Sequence, residues 1–425
     1  MDEEQENSYK SESTPKYHAR ETALEVAKLY GASVVLGSAT PSLEAYYRAG
    51  RGEYRLLQLT KRLTGGELPT VYTVDLRQEL QEGNRSIFSR KLQELMTDRL
   101  NKGQQTILFL NRRGYAGFVS CRSCGEVMKC PHCDVSLSEH KGGRLICHYC
   151  GYTQPMPKLC PKCGSKYILG FKAGTQQIEE KLKELYPGVR TLRMDADTTR
   201  TKDSYEKILS SFANGEADVL IGTQMIVKGH DFPKVTLVGI LAADLSLNAS
   251  DYRAGERTFQ LLTQAVGRAG RGVLPGEAVI QTYQPDHYAI TCAAAQDYES
   301  FYQEEILYRE LSGYPPVAHM LAVQIYGKEE ENAKQLALRL TDVVKSNMDF
   351  LSGKQKEQSN KKIQVLGPAP ANISKINDIY RYVFYVKHAE YDVLVEVKDR
   401  LEETLRQWQP RQMSIQFDFD PVSVL

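Results

Sequence analysis

The sequence DVLIGTQMIVKGHDFPKVTLVGILAA, residues 218–243, places two apolar runs on either side of a polar loop. Both runs are continuous rather than alternating, which is typical of strands buried on both faces of a parallel sheet. Further apolar runs lie at 33–40, 106–110 and 189–194, and segments with helical periodicity lie at 17–30, 90–101, 176–185 and 201–212. This alternation predicts βαβ units, and therefore an α/β domain with helices on both faces of a parallel sheet.

The order of the elements changes after residue 300. Strands are predicted at 318–326, 363–368, 380–387 and 413–419, and long amphipathic helices at 329–350 and 390–407. This order, β-α-β-β-α-β, is that of a ferredoxin-like α+β domain. We therefore predict an amino-terminal unit over 1–86, a second unit over 87–300 with an insertion at 118–170, and a C-terminal domain over 301–425.

The composition is that of a soluble globular protein. The 425 residues include 54 Lys plus Arg and 53 Asp plus Glu, which gives a formal net charge of +1. The longest apolar run, at 235–243, is shorter than the stretch of about 18 residues that a membrane helix requires. The first thirty residues are charged and contain no apolar signal segment. We expect a cytoplasmic protein with no membrane partner.

Eight of the nine cysteines form four CxxC pairs between residues 121 and 163. Each CxxC turn presents two thiolates to one ion, so four pairs predict two closed tetrahedral sites of the structural zinc type, with two zinc ions per chain. The gap of five residues between the first two pairs is short for the hairpin that separates the halves of a zinc ribbon. Nested pairing is therefore favoured over sequential pairing. It assigns Cys121, Cys124, Cys160 and Cys163 to the first zinc and Cys130, Cys133, Cys147 and Cys150 to the second.

A second pattern indicates phosphate chemistry. LTQAVGRAGR, at 262–271, carries two arginines three residues apart, and guanidinium groups stabilise the charge that develops during phosphoryl transfer. The strings GTQMIVKGHDFP at 222–233, GSATPS at 37–42 and DEEQ at 2–5 precede it. In an acid pair of the DEEQ type, the Asp holds Mg²⁺ and the Glu orients the attacking water.

These four strings, in this order, resemble motifs II, III, V and VI of superfamily-two helicases. The paired cysteines between GSATPS and GTQ narrow the resemblance to the PriA family of primosomal replication-restart helicases. SYKSESTPKYHARE, at 8–21, is similar to that family's aromatic-rich loop, and NRRGY, at 111–115, is similar to its lead-in to the zinc insertion. The resemblance implies RecA-like helicase lobes, partial over 1–86 and complete over 87–300, with a two-zinc insertion and a C-terminal α+β domain.

The resemblance also implies a function and roles for individual residues. The function is ATP-dependent 3′-to-5′ unwinding of DNA at stalled forks, with forked and single-stranded DNA, single-stranded-DNA-binding protein, primosome proteins and helicase loaders as partners, at the nucleoid. Catalytic roles fall to Asp2 with Mg²⁺, Glu3, Gln264, Arg268 and Arg271. Lys228, Gly229 and Asp231 are expected to line the ATP cleft or the DNA track. Tyr9, Lys10, Tyr17, His18, Arg20, Ser38 and Thr40 are expected to couple DNA binding to ATP turnover.

Two features depart from the family pattern. Gln5 stands where the family's acidic box has a histidine, and no GxxxxGK[ST] loop occurs in the chain. Since that loop cradles the phosphates of ATP, we expect it upstream of Met1, in a longer protein of which this chain is a fragment with poor ATPase activity of its own. Two alternatives remain: a non-enzymatic, zinc-dependent adaptor for DNA or protein, and another superfamily-two translocase with a zinc insertion.

Overall fold

The computed structural model describes residues 1–59, 68–110, 119–133, 135–140, 143–169, 174–195, 198–199, 202–227, 231–346 and 362–422. The helices are α1 (Ala19–Tyr30), α2 (Leu43–Gly50), α3 (Leu76–Gln81), α4 (Arg90–Asn101), α5 (Thr175–Leu185), α6 (Lys202–Ala213), α7 (Asp244–Leu247), α8 (Ala254–Val266), α9 (Tyr288–Ala295), α10 (Tyr298–Ser312), α11 (Glu330–Ser346) and α12 (Tyr391–Trp408). Two short 3₁₀ helices lie at Asn7–Tyr9 and Gln224–Val227.

The strands form four sheets. They are β1 (Thr70–Asp75), β2 (Gln105–Leu110), β3 (Ser120–Cys121), β4 (Ser138–His140), β5 (Arg144–Ile146), β6 (Thr153–Pro155), β7 (Ile168–Leu169), β8 (Thr191–Met194), β9 (Val219–Gly222), β10 (Val235–Leu241), β11 (Glu277–Thr282), β12 (His319–Gly327), β13 (Gln364–Ile376), β14 (Ile379–His388) and β15 (Met413–Phe419).

A six-stranded parallel sheet, in the order β1-β11-β10-β2-β9-β8, forms the centre of the chain. Every residue of β2, β9 and β10 is buried, as their continuous apolar runs predict. Successive side chains point to opposite faces, so Ile107 packs with α6 and α8 while Leu108 packs with α4 and α5. The predicted α/β architecture is confirmed.

The run at 33–40 is not a strand. Residues 32–36 have no regular secondary structure, and Val35 is 74% exposed. Among the described residues, the run pairs with the segment that begins at Met1, through a parallel bridge between Asp2 and Gly37. A strand buried on both faces needs neighbours that complete its ladder and helices that cover it. The described residues supply neither, so the apolar pattern alone does not produce the predicted strand.

Strand β1 belongs to the central sheet, which bears on where the amino-terminal unit ends. It pairs with β11 in parallel register from Thr70 opposite Glu277 to Asp75 opposite Thr282, which makes it the edge strand of the central sheet. The sequence prediction placed residues 70–86 in the amino-terminal unit. We propose instead that the boundary lies before Thr70, and we refer to residues 1–59 as the amino-terminal segment.

The C-terminal domain has the predicted ferredoxin-like order. Its antiparallel sheet runs β13-β14-β12-β15, and α11 and α12 pack on one face through a core that includes Leu340, Phe384 and Leu401. The predicted helix at 329–350 begins at Glu330 and is described as far as Ser346; residues 347–350 lie outside the described residues. None of the helices in the described ranges combines the length and apolar character that a membrane span requires.

The cysteine-rich insertion shares a hydrophobic core with the C-terminal domain. Leu145 and Tyr149 of the insertion belong to the same buried cluster as Met320 and Tyr385 of the C-terminal sheet. The rings of Tyr149 and Tyr385 stack with centroids 5.0 Å apart. The backbone is equally close, because a Cβ atom at Gly151 would lie 3.3 Å from the carbonyl oxygen of Pro368. The insertion is therefore packed into the fold rather than appended to it.

Candidate zinc centres and nucleotide site

The eight paired cysteines form two groups of four, and the grouping is the nested one. In each group the four Sγ atoms lie within 4.8 Å of one another. The outer group contains Cys121, Cys124, Cys160 and Cys163, and the inner group contains Cys130, Cys133, Cys147 and Cys150. The β3–β7 pair closes the outer group, and the β4-β5-β6 sheet supports the inner one.

The spacing of the sulfur atoms fits zinc. Neighbouring Sγ atoms are 3.5–3.6 Å apart across the pairs Cys121–Cys163, Cys124–Cys160 and Cys130–Cys150. A tetrahedron with Zn–S bonds of about 2.3 Å requires sulfur atoms about 3.8 Å apart. Three pairs are followed by a glycine with positive φ, and in the turn at Gly151 the N–H donates to the carbonyl of Cys147. Four thiols in this geometry suit a closed zinc site.

We expect purified, unchelated protein to contain two zinc ions per chain, measured by elemental analysis. Because the pairing is nested, Cys160→Ser should release the outer ion and retain the inner one, so that one ion per chain remains. The matched control is Cys292→Ser, since Cys292 is a buried cysteine outside both groups, and it should retain both ions. A Cys160→Ser protein that keeps both ions, or loses both, would contradict two independent sites.

The arginine-rich loop that follows α8 is held tightly against the central sheet. The N–H of Gly270 donates to the carbonyl of Val235 at 3.0 Å, and Gly270 has a φ of 68°. A Cβ atom there would lie 2.4 Å from the nitrogen of Gly276, and one at Gly272 would lie 2.5 Å from the carbonyl oxygen of Pro233. Only glycine permits these approaches, so the loop has little freedom to move relative to the sheet.

Two arginines on this loop meet one carboxylate. Arg268 lies 3.4 Å from Oδ1 of Asp231, and the Arg271 guanidinium contacts the same oxygen. Burial and the neighbouring Arg271 lower the pKa of Arg268, while Asp231 and Glu3 oppose that shift. Three of the predicted site residues are therefore in contact, and Glu3 acts electrostatically on one of them, Arg268. Gln264 lies half-buried in the last turn of α8, and Lys228 and Gly229 lie outside the described residues.

The acidic string DEEQ is connected to GSATPS by side chains. Gln5 donates from Nε2 to the Glu3 carboxylate at 2.5 Å and accepts from the Ser38 hydroxyl at 2.6 Å. The Ser38 oxygen in turn accepts from the N–H of Thr40 at 2.9 Å. Glu3 has a φ of 47°, a conformation that non-glycine residues rarely adopt and that is found preferentially at functional sites. Gln5 thus links DEEQ to GSATPS through hydrogen bonds. Its amide, unlike a histidine ring, cannot carry a proton.

Lys10 and Arg20 do not occupy the positions that direct DNA contacts require. The Lys10 ammonium pairs with Asp418 at 2.7 Å, and both side chains are only 7% exposed. Arg20 is 5% exposed and pairs with the buried Glu4 at 3.0 Å. Both cations pair with carboxylates inside the protein. Their role in coupling DNA binding to ATP turnover stays a prediction.

The remaining residues predicted to couple DNA binding to turnover are placed differently. Tyr17 is 53% exposed and remains accessible to a ligand. The Tyr9 hydroxyl donates to the backbone carbonyl of Asp2 at 2.8 Å. His18 caps α1 by accepting the N–H of Arg20, and burial with the nearby Arg20 charge lowers the pKa of His18 to about 4. Its ring is therefore neutral at physiological pH.

A buried ionic network at the start of α8 could not be predicted from the sequence. It joins the amino-terminal segment to α8 and α10 through the charged side chains of Glu44, Arg253, Glu256, Glu305 and Arg309. In the sequence these residues look like the ordinary polar positions of amphipathic helices. Only the packing of three distant segments reveals that they are buried together.

Comparison with known proteins agrees with the geometry. Three family models match: residues 130–155 match the PriA DNA helicase Cys-rich region domain, 159–273 the helicase conserved C-terminal domain, and 310–422 the primosomal protein N C-terminal domain. The chain is 45% identical to the replication restart protein PriA of Bacillus subtilis and 41% identical to that of Synechocystis sp.. These alignments cover 100% of this chain and 52% and 50% of the two relatives.

A solved structure of S. cerevisiae Dbp5 bound to RNA and ADP BeF3 matches 69% of this chain and 59% of that one, with 13% identity. Its TM-score is 0.33.

The parallel sheet and its arginine loop belong to a helicase C-terminal, RecA-like domain. A cysteine-rich zinc module is inserted in this part of the chain, and a C-terminal α+β domain follows. The chain belongs to the PriA family of replication restart proteins. It spans about half the length of the curated relatives that it matches.

Proposed function

We propose that this chain supplies the second motor domain, the zinc module and the C-terminal domain of an ATP-dependent 3′-to-5′ DNA helicase that restarts replication at stalled forks. The observation that carries the proposal is the contact of Arg268 and Arg271 with Asp231, within the domain that matches the helicase C-terminal model. Glu3, from the amino-terminal segment, acts electrostatically on Arg268. Because the chain contains no phosphate loop, the proposal assigns hydrolysis to a longer protein that contains this chain. We call it the full-length protein.

The donor groups of the site fit ATP and Mg²⁺. Two guanidinium groups can bind phosphate oxygens, and Asp231 is the anion that they contact in this arrangement. The carboxylates of Asp2 and Glu3 are oxygen donors of the kind that Mg²⁺ prefers. Mg²⁺–ATP would supply the phosphoryl group that is transferred to water, and Arg268 and Arg271 would bind its phosphate oxygens in place of Asp231.

The link between DEEQ and GSATPS suggests how the state of the nucleotide reaches other parts of the protein. Glu3, Gln5 and Ser38 form a continuous chain of hydrogen bonds, so a change at the carboxylate alters the GSATPS loop directly. Of the two tyrosines predicted to couple DNA binding to turnover, Tyr17 is the exposed one, and we assign it a contact with single-stranded DNA because bases stack on aromatic side chains. We also assign forked DNA, single-stranded-DNA-binding protein, primosome proteins and helicase loaders as partners, at the nucleoid.

The proposal is tested by comparing this chain with the full-length protein. The full-length protein should hydrolyse ATP in a DNA-stimulated reaction and unwind forked duplexes that carry a 3′ single-stranded tail, but not those with only a 5′ tail. The chain alone should bind DNA without hydrolysing ATP. If the full-length protein binds forked DNA but shows no DNA-stimulated hydrolysis, the zinc-dependent adaptor is the correct alternative.

A further inference from the structure

The carboxylate of Glu256 connects two helices that the sequence separates by more than two hundred residues. Glu256 lies in the first turn of α8 and is 4% exposed. Its Oε1 accepts the N–H of Leu43, the first residue of α2, at 3.0 Å. A carboxylate at a helix N-terminus satisfies a free N–H and interacts favourably with the helix dipole. The contact therefore fixes the start of α8 against the start of α2.

The start of α2 is in turn fixed to the acidic string. Ser42 caps α2, and its N–H and hydroxyl both donate to the Glu4 carboxylate, at 2.6 and 2.9 Å. Arg20 donates to the same carboxylate and to the Ser42 hydroxyl oxygen. Glu4 is the neighbour of Glu3 in DEEQ. A continuous set of buried contacts therefore runs from the acidic string through the cap of α2 to Glu256.

A second ion pair strengthens this junction. Arg253, just before α8, pairs with Glu44 of α2 at 2.8 Å. Arg309 of α10, which is fully buried, pairs with the other carboxylate oxygen of Glu256 at 3.2 Å. Gly255 lets α8 approach α10, because a Cβ atom there would lie 2.5 Å from the Glu305 carboxylate. The first turn of α8 is thus held on two sides.

The opposite end of α8 leads into the arginine loop. The helix has 13 residues, which corresponds to a rigid rod about 20 Å long. The arginine loop follows Val266 directly and is packed against the sheet, so α8, the sheet and the loop form one body. The contacts at the first turn of α8 therefore set where Arg268 and Arg271 lie relative to α2 and the acidic string.

We propose that Glu256 is a positioning residue that sets the arginine pair relative to the acidic string, by holding α8 to the cap of α2. This inference rests on the proposed function and names a residue that acts through Arg271 without touching nucleotide. A glutamine at this position keeps the acceptor for the Leu43 N–H, whereas an alanine removes it.

The first test measures steady-state ATP hydrolysis by the full-length protein. Glu256→Ala should lower kcat about tenfold, because a small misplacement of a catalytic group is costly, and should leave KM for ATP nearly unchanged. Glu256→Gln should recover most of the lost kcat. In an Arg271→Ala background Glu256→Ala should have no further effect on kcat, because residues that act as a unit are not additive. Losses that multiply independently would overturn the proposal.

The matched control is Glu305→Ala. Glu305 is a fully buried carboxylate that also pairs with Arg309, but its second partner is the Tyr288 hydroxyl rather than the amide of α2. The Glu305→Ala variant should lower the unfolding temperature as Glu256→Ala does, but its kcat should not fall to the same extent. If the two variants lose kcat equally, and both losses disappear in the Arg271→Ala background, the proposed specific link through α2 is wrong.

A second measurement keeps this inference separate from the proposed function. In the chain alone, hydrogen exchange at the Leu43 amide reports on the contact between α2 and α8, because this amide donates to Glu256. Glu256→Ala should accelerate that exchange, and Glu305→Ala should not. Accelerated exchange without ATPase activity in the unmodified full-length protein would refute the proposed function and leave the link from α8 to α2 intact. Unchanged exchange would refute the link.

Discussion

Arg271→Ala in the full-length protein is expected to reduce DNA-stimulated ATP hydrolysis by at least about a hundredfold. A guanidinium that meets the γ-phosphate stabilises charge that develops during transfer, and arginine fingers contribute about 10³ to 10⁵ to the rate. The loss expected for Arg271→Ala is smaller than this range, because Arg268 contacts the same Asp231 carboxylate and can supply part of the positive charge. Since the contribution is made in the transition state, kcat should fall far more than the affinity for ATP.

The control for charge is Arg271→Lys, which keeps the cation. It should restore little activity, because an ammonium cannot reproduce the two parallel hydrogen bonds of a guanidinium. Binding of forked DNA without nucleotide should change little in either variant. A protein that keeps its turnover but loses DNA affinity would make Arg271 a DNA phosphate contact, and the proposed position of the ATP cleft would then be wrong.

Short-range patterns were the features that the sequence predicted best. The CxxC spacing led to the nested grouping, and the continuous apolar runs of β2, β9 and β10 led to a parallel sheet buried on both faces. Both depend on local geometry, since a CxxC turn and a strand pleat are set within a few residues. The ferredoxin-like domain was predicted for the same reason, because its elements are consecutive in the chain.

Features that depend on distant partners could not be predicted in this way. The ion pair of Lys10 could not be foreseen, because its partner Asp418 lies 408 positions further along the chain. The apolar run at 33–40 looked like a strand, yet a strand forms only where neighbouring strands are available. The role of Glu256 depends on Leu43 and Arg309, which belong to other helices. Each of these features is a property of the assembled fold.

Loss of the inner zinc is expected to destabilise the C-terminal domain as well as the insertion. The turn between Cys147 and Cys150 carries Tyr149, whose ring stacks on Tyr385 of β14. His148, in the same turn, hydrogen-bonds the carbonyl of Pro370 through Nδ1 at 2.9 Å. Structural zinc contributes about 10–16 kcal/mol to the folding of finger peptides. Without the ion this turn has no fixed shape, and one side of the C-terminal sheet loses its cover.

The two zinc sites should differ in this respect because it is the inner-site turn that carries Tyr149 and His148 onto the C-terminal domain. Cys147→Ser should speed amide hydrogen exchange in β12 and β14, whose Met320, Ala322, Val383 and Tyr385 share the core of the insertion. Cys160→Ser should have a smaller effect there, because the first turn of the outer site packs beside the end of β11, where a Cβ atom at Gly125 would lie 2.5 Å from the carbonyl oxygen of Tyr283. Equal exchange in both variants, or protection in β14 that survives Cys147→Ser, would contradict a shared core. If only Cys147→Ser loses protection from exchange in β12 and β14, the inner zinc stabilises the C-terminal domain, which supplies none of its ligands.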